Sequence, residues 1–539
     1  MKKALLLPIL LTGALLVGCS SEEKYVLDDY QVTNTSDVEK ISFTFTGINK
    51  KATYDYDFSK SFFEIDSDTF SPDIAKLIFG LSEASREKEA TSAYELLGFE
   101  NMTKYFYDSD ESESRWVATA EDYNKTPMII GKLIYDDFTL YSAALRGSVG
   151  YEWFSDFDMG NPYEEDENYD LANGWSHHGF NTSAIETVDV ITNYIQNDSD
   201  YNKDTSKLLL MGHSKGGAVA NLTGAYLNET DLIDHDNLFV YTFETPNVRI
   251  MSSDDNKYTN IFNLINSGDL ITMIPLESWG YERYGTDILL PYDQKAISNC
   301  FYKYAGKKYY GRENLDELIT ALNNWVPTYE SFFTGETSPY TIAMYIIEKL
   351  ETGDSFSDGL SAVTKIQAMA ESDPNAKAVV DILIAIFMQN YDVLNSAIGH
   401  AHCQEGYIAA MSVYYLADYA YSNSSFTELD LSNNKTNSMG SMAISNNEVL
   451  EELILPSTLE RIDAYAVYNN AKLTKLTIPS NVNLIGDCAL KYNKNLKKIY
   501  FEGNAPEGLT DNVLPVNATI YIHDGAEGFD NLKHKVKTY

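Results

Sequence analysis

Basic residues are scarce in this 539-residue chain: 40 lysines and arginines stand against 79 aspartates and glutamates, for a formal charge of −39 at neutral pH. A surface so acidic repels the phosphates of nucleic acids and anionic lipids, which excludes nucleic-acid binding and membrane contact through a basic patch. Cysteine is scarce too. Cys19, Cys300, Cys403 and Cys488 lie far apart, and neither a disulfide framework nor a zinc spacing can be read from them. His400 and His402 come as a pair, but no carboxylate–histidine helix motif accompanies them, so the chemistry is expected to need neither a metal nor an organic cofactor. Among apolar runs, the uncharged stretch from Ala4 to Val17 is too short to span a bilayer. Apolar residues are plentiful, at 44% of the chain, which is enough for a large core and more than one domain.

Lys2 and Lys3 precede that uncharged run, and Leu16-Val17-Gly18 leads into Cys19 in "LLVGCSS". The arrangement resembles a bacterial lipoprotein signal over residues 1–19. It implies an extracytoplasmic protein held on the cell membrane by acyl chains on Cys19, of which two or more anchor stably. Losing Lys2 and Lys3 with the signal makes the mature chain more acidic still, so the anchor would provide the membrane contact.

Residues 20–50 read as an acidic linker ending in the strand "ISFTFTG" (41–47), and "SPDIAKLIFGLSEAS" (71–85) has helical spacing. From 51 to 423, strands and helices alternate. "TLYSAAL" (139–145), "KLLLMG" (207–212), "LFVYTF" (238–243) and "NIFNLIN" (260–266) are strand-length, and helical patterns at 182–196 and 217–228 separate them. That alternation predicts a parallel α/β sheet. The tail, 424–539, is different in kind. Leu450, Leu473 and Leu496 open "LEELILPSTLERI", "LTKLTIPSNVNLI" and "LKKIYFEGNAPEGL" at a constant interval of 23, and Phe426 lies 24 before the first. Such units bury their apolar faces only by stacking, so four of them predict a small solenoid capped by strands after about 515, with a core of its own. The pattern resembles the short leucine-rich repeats of bacterial surface proteins, which implies a protein or polysaccharide ligand.

The stretch "LLLMGHSKGGAVANL" (208–222) places Ser214 between Gly212 and Gly216, with a strand before it and a helix after it. This is the pattern of a nucleophile elbow, where bulky neighbours on either side of the serine would clash. The same turn aims the backbone N–H of Lys215 at an oxyanion. A serine hydroxyl needs a base, and the base needs a carboxylate to fix its tautomer; on this framework they follow in the order Ser, Asp, His. Asp269 follows a strand in "NIFNLINSGDLITMIPL". Of the histidines beyond it, His523 and His534 lie in the repeats, leaving His400 and His402 in "GHAHCQEGYIAAM".

From about 55 to 423 the chain resembles the class 3 lipase family of α/β-hydrolases. The resemblance rests on "ALRGSVGYEW" (144–153) for a strand ending in Arg-Gly-Thr/Ser and then Trp, "HHGF" (177–180) for His-x-Gly-Phe, and "GHSKGG". It also rests on "YTFETPNV" (241–248) for Thr-Phe-x-x-Pro, and on "NSGDLITMIP" for Asn-x-x-Asp-x-x-x-x-x-Pro. It implies Ser214 as nucleophile, Asp269 as orienting acid and His402 as base, since "AHCQEGY" looks like Ala-His-x-x-Glu-x-Tyr. Ser148 would supply the second oxyanion donor, and the substrate would be a lipid or other ester. Lys215 fills a place where the family often has Leu. His177 reads as a packing residue, and Tyr151 and Trp153 as rim or core aromatics. The segment between Ser148 and His177, where a lid would sit, is rich in acids. The residues between Asp269 and His402 hold amphipathic helices at 315–326, 342–350 and 379–387, open to two uses: packing on the sheet or forming an acyl-binding cap. Taken together, these features predict a surface-anchored serine hydrolase of carboxylic esters. The second reading is a repeat-bearing adhesion lipoprotein with an inactive hydrolase fold, against which the complete Ser, Asp, His order argues.

Overall fold

In the computed structural model of the chain, the described residues are 31–35, 38–46, 49–85, 91–107, 125–148, 155–156, 158–160, 175–250, 257–291, 293–311, 315–328, 330–331, 338, 368, 374–377, 380–381 and 400–539. Cys19, Tyr151, Trp153, most of the acidic segment before His177 and nearly all of the helices at 342–350 and 379–387 lie outside them.

β1 (Gln31–Thr35), β2 (Val38–Thr46) and β3 (Lys51–Phe58) form an antiparallel sheet. In β3 burial alternates strictly, turning Tyr54, Tyr56 and Phe58 inward, as one covered face of a strand requires. The helix Pro72–Ala84 follows, its first turn closed by Ser71 Oγ, which accepts from Ile74 N at 3.2 Å.

The chain then runs through β4 (Glu100–Tyr105), β5 (Met128–Ile134), β6 (Thr139–Leu145), the short β7 (Trp175–Ser176), β8 (Ser206–His213), β9 (Leu238–Phe243), the short β10 (Arg249–Ile250), β11 (Ile261–Asn266), the short β12 (Tyr281–Glu282) and β13 (Thr286–Leu290). The central sheet has the order β13-β11-β9-β8-β6-β5-β4. It is parallel from β6 through β13 and antiparallel at the β4 end. Every residue of β6, β9 and β11 is buried. Strands covered on both faces need no polar alternation, so they appear in the sequence as continuous apolar runs.

Helices cover both faces. Phe180, Ala184, Val219 and Leu222, from the helices His178–Gln196 and Lys215–Asn228, pack with Leu208, Leu210 and Val240 of the sheet. On the other face Leu209, Met211, Tyr241 and Phe243 meet Ile78 and Phe79 and the helices Gln294–Ala305 and Gln404–Tyr414. Of the helices expected between Asp269 and His402, the first is Leu315–Trp325. Its Leu322, with Val326 just beyond, packs on Leu276 and Trp279 of the loop after Asp269.

The tail is a stack of parallel rungs. Met439, Ile462 and Ile485 pair in successive turns, as do Leu476, Ile499, Ile520 and Val536, so the strands after 515 prolong the same ladder as shorter turns. Inside it runs a column of asparagines: Asn447 Nδ2 donates to Asn470 Oδ1 at 2.8 Å, and Asn470 Nδ2 donates to Asn493 Oδ1 at 3.2 Å and to Ile444 O at 3.0 Å. All three residues are buried. Asn470→Ala would leave the Asn447 amide and the Ile444 carbonyl short of partners. The expected cost is about 2–4 kcal/mol, measured by chemical denaturation; a loss below ~0.5 kcal/mol would show that water replaces the amide.

Two features join the tail to the chain before it. The ladder begins before residue 424: Tyr419, Tyr421 and Asn423 N–H groups donate to Ser441, Ala443 and Ser445 carbonyls, as Ile444 and Asn446 do to Ala466 and Tyr468 one turn on. The apolar core of the solenoid is also continuous with that of the sheet. A single apolar cluster runs from Ile41 and Phe79 through Tyr415 and Leu416 to Leu453 and Phe501, and the Lys76 ammonium lies 4.4 Å from the centre of the Tyr415 ring. The reason is local: the helix Gln404–Tyr414 leads straight into the first rung, with no linker of its own.

Candidate active site

β8 ends in the turn that carries Ser214, whose backbone is held at φ 54, ψ −128. The flanking glycines answer to backbone crowding. A Cβ on Gly212 would stand 2.1 Å from Gly216 O, and one on Gly216 would stand 2.4 Å from Leu145 O. Any larger residue would push the elbow off β6, so the serine can occupy its strained position only between glycines. Ser214 N donates to Phe243 O at 2.9 Å, tying the turn to the end of β9.

Asp269 is fully buried after β11. One carboxylate oxygen accepts from Ile271 N at 2.9 Å, and the other lies 2.8 Å from His402 Nδ1. On the far side of the ring, His402 Nε2 is 3.3 Å from Ser214 Oγ. With a carboxylate at Nδ1, that nitrogen carries the proton and Nε2 turns its lone pair to the hydroxyl. The structure therefore brings Asp269, His402 and Ser214 together from three separate stretches of chain. Asn266 joins two of them: its Nδ2 donates to Ala401 O at 3.1 Å, beside His402, and its N–H donates to Tyr407 OH at 3.1 Å. No role had been read for this asparagine, although it opens the Asn-x-x-Asp motif.

His400, the other histidine left open by the sequence, faces elsewhere. Its Nδ1 accepts from Tyr310 N at 2.9 Å, and its ring stacks on Phe301 at 4.8 Å. Burial pushes its pKa down to about 4. His177 packs on Phe180 at 3.9 Å and caps the helix His178–Gln196, with burial pushing it down to about 3.

Ser148 lies in the loop after β6, where a Cβ on the preceding Gly147 would come within 3.2 Å of Ser214 Cβ. Its Oγ donates to Asp156 Oδ2 at 2.7 Å. Lys215 opens the helix after the elbow. Its side chain is buried, with Nζ donating to Lys125 O at 3.2 Å.

A second residue at the site also escaped the sequence reading. Glu244, the first residue after β9, places Oε2 3.7 Å from His402 Nε2. A charged residue ending an otherwise apolar strand was the available signal, but which strand end faces the histidine follows only from the sheet order.

Residues 142–279 match the Lipase (class 3) family, and residues 408–510 match the BspA type Leucine rich repeat region in six copies. The first match contains Ser148, Ser214 and Asp269 and stops before His402. The second begins inside the helix Gln404–Tyr414, ahead of the boundary expected at 424. Among solved structures, a triacylglycerol lipase whose catalytic centre is formed by a serine protease triad is 19% identical over 42% of this chain and 83% of its own, with a TM-score of 0.30. The Rhizomucor miehei triacylglyceride lipase is 17% identical over 41% and 82%, with a TM-score of 0.28. The pneumococcal vaccine antigen PcpA is 18% identical over 23% and 39%, with a TM-score of 0.19. No curated protein matches the chain. The fold is a mostly parallel α/β-hydrolase sheet flanked by helices, carrying leucine-rich repeats at its C-terminus.

Proposed function

We propose that this chain, a lipase-type hydrolase by its class 3 match, cleaves carboxylic esters through an acyl-enzyme on Ser214. The observation that carries the reading is the unbroken relay from buried Asp269 through His402 to Ser214, at 2.8 and 3.3 Å. Ser214 Oγ attacks the acyl carbon while His402 Nε2 takes its proton. The backbone N–H of Lys215, aided by Ser148, holds the oxyanion. His402 returns the proton to the leaving alcohol, and water then clears the acyl group by the same route. The 3.3 Å separation is at the long end of a hydrogen bond, as is common before substrate closes a site.

The reading is tested by labelling with a fluorophosphonate probe, using Ser214→Ala as control. Label on the full chain that is lost in the variant supports it. A folded chain that takes no label would leave ligand contact by the repeats as the function. That contact, with a protein or polysaccharide, belongs to the same proposal, as does a lipid or other ester as substrate.

The protein is further proposed to sit outside the cytoplasm on the bacterial cell membrane, held by acyl chains on Cys19; the motif "LLVGCSS" supports this. Cys19→Ala is expected to move the protein from the membrane fraction to the medium or to an uncleaved precursor. Unchanged partitioning into detergent would rule the anchor out.

A further inference from the structure

Glu244 stands on the opposite side of His402 from Asp269. Its carboxylate lies 3.7 Å from Nε2, the nitrogen that also meets Ser214, and the side chain is only 3% exposed. Its backbone has φ 55, a left-handed conformation that glycine adopts freely and glutamate does not. The chain thus accepts a strained position and a buried carboxyl group at one residue, beside the groups that would react. Backbone strain of this kind collects at functional sites.

The charge acts differently on the two forms of the histidine. Neutral His402 turns the lone pair of Nε2 toward Ser214 and Glu244, and a carboxylate there repels it. Protonated His402 turns an N–H toward the same oxygens, and the carboxylate attracts it, with little water between to screen the effect. Asp269 acts in the same sense from Nδ1. Arg283 directs its guanidinium to Asp287 and to the carbonyls of Thr245 and Thr272, and the Lys215 ammonium donates to Lys125 O. Burial keeps the Cys403 thiol and the Tyr407 phenol protonated and neutral. Glu405 is a further buried acid on the helix that follows His402.

We propose that Glu244 is a positioning residue for the catalytic proton: its carboxylate stabilises His402 in the imidazolium form and thereby sets the acidic limb of the hydrolase. In the step concerned, the Ser214 O–H bond breaks, the Oγ–acyl bond forms, and the proton moves to His402 Nε2 until the leaving alcohol takes it. Glu244 neither gains nor loses a proton. The proposal rests on His402 being the base. A carboxylate beside Nε2 favours the protonated form and raises the histidine pKa, so removing it lowers the pKa and moves the acidic limb to lower pH.

The test follows His402 directly, by ¹³C-histidine NMR titration of the full chain, with the resonance assigned through His402→Gln. In parallel, the pH dependence of fluorophosphonate labelling at Ser214 is measured. Glu244→Gln and Glu244→Gly should each lower the His402 pKa by about one unit or more, and Glu244→Asp should move it by less than about half a unit. Glycine fits the backbone at φ 55, so that variant decides if the glutamine one does not fold. A shift under about 0.3 units in both charge-removing variants, or a shift upward, overturns the proposal. If the NMR shift appears but wild-type Ser214 takes no label, the hydrolase reading fails and the coupling of Glu244 to His402 stands. If Ser214 labels with the same acidic limb in every variant, the hydrolase reading stands and the role of Glu244 is lost.

Discussion

Replacing Ser214 with alanine is expected to lower kcat/KM for a short-chain nitrophenyl ester by about 10⁴–10⁶, with the fold intact. On the proposed mechanism the size follows from the relay: without Oγ there is no group for His402 to deprotonate, and what would remain is substrate binding and the oxyanion donors. His402→Ala should cost about as much, and the double variant little more, because the members of such a relay act as one unit. His400→Ala is the internal control. Its imidazole accepts from Tyr310 N and stacks on Phe301, away from Ser214, so the folded variant should keep its rate within a few-fold. A folded His400→Ala protein as inactive as Ser214→Ala, beside an active His402→Ala, would move the base by two residues.

These assignments were legible in the chain to unequal degrees, for physical reasons. The central strands stood out because burial on both faces leaves no reason for polar alternation, and "TLYSAAL" and "LFVYTF" are the observed β6 and β9 residue for residue. The elbow stood out because backbone crowding at Gly212 and Gly216 permits only glycine. The histidines could not be separated by residue type, since His400 and His402 are two positions apart and differ only in what surrounds them. Glu244 was hidden for a related reason. Nothing near it in sequence reports that β9 lies between the Ser214 strand and the Asp269 strand, so its proximity to His402 is a property of the sheet order alone. The asparagine column keeps the interval of 23 at Asn447, Asn470 and Asn493, yet asparagine in a repeat reads as a loop residue until the stacked carboxamides are seen. The first rung was missed because a helix takes the place of its leucine-rich opening.

Cutting the chain after Ser425 is expected to abolish the proposed ester hydrolysis, with kcat/KM falling by more than about a hundredfold and cooperative unfolding lost as well. The repeats look separable in sequence, and a solenoid with its own core could be removed without harm. Here the core is shared. The cut would strip the carbonyl acceptors of Ser441, Ala443 and Ser445 from the Tyr419, Tyr421 and Asn423 amides, and would take away the Asn434 carboxamide that caps Tyr414 O. It would also open to water the far side of the cluster that holds Leu416, Ala420 and Tyr421. That segment continues the helix Gln404–Tyr414, which starts two residues after His402. Fraying from its C-terminal end would loosen His402, because Asn266 holds both the neighbouring Ala401 carbonyl and Tyr407 of that helix. Removing only 526–539, with the edge strand Lys535–Thr538, takes away nearest-neighbour contacts at the end of the stack. That shorter chain should keep activity within about twofold. Full activity in the chain ending at Ser425 would mean that the hydrolase closes its core without the solenoid, and that the shared cluster is contact without consequence.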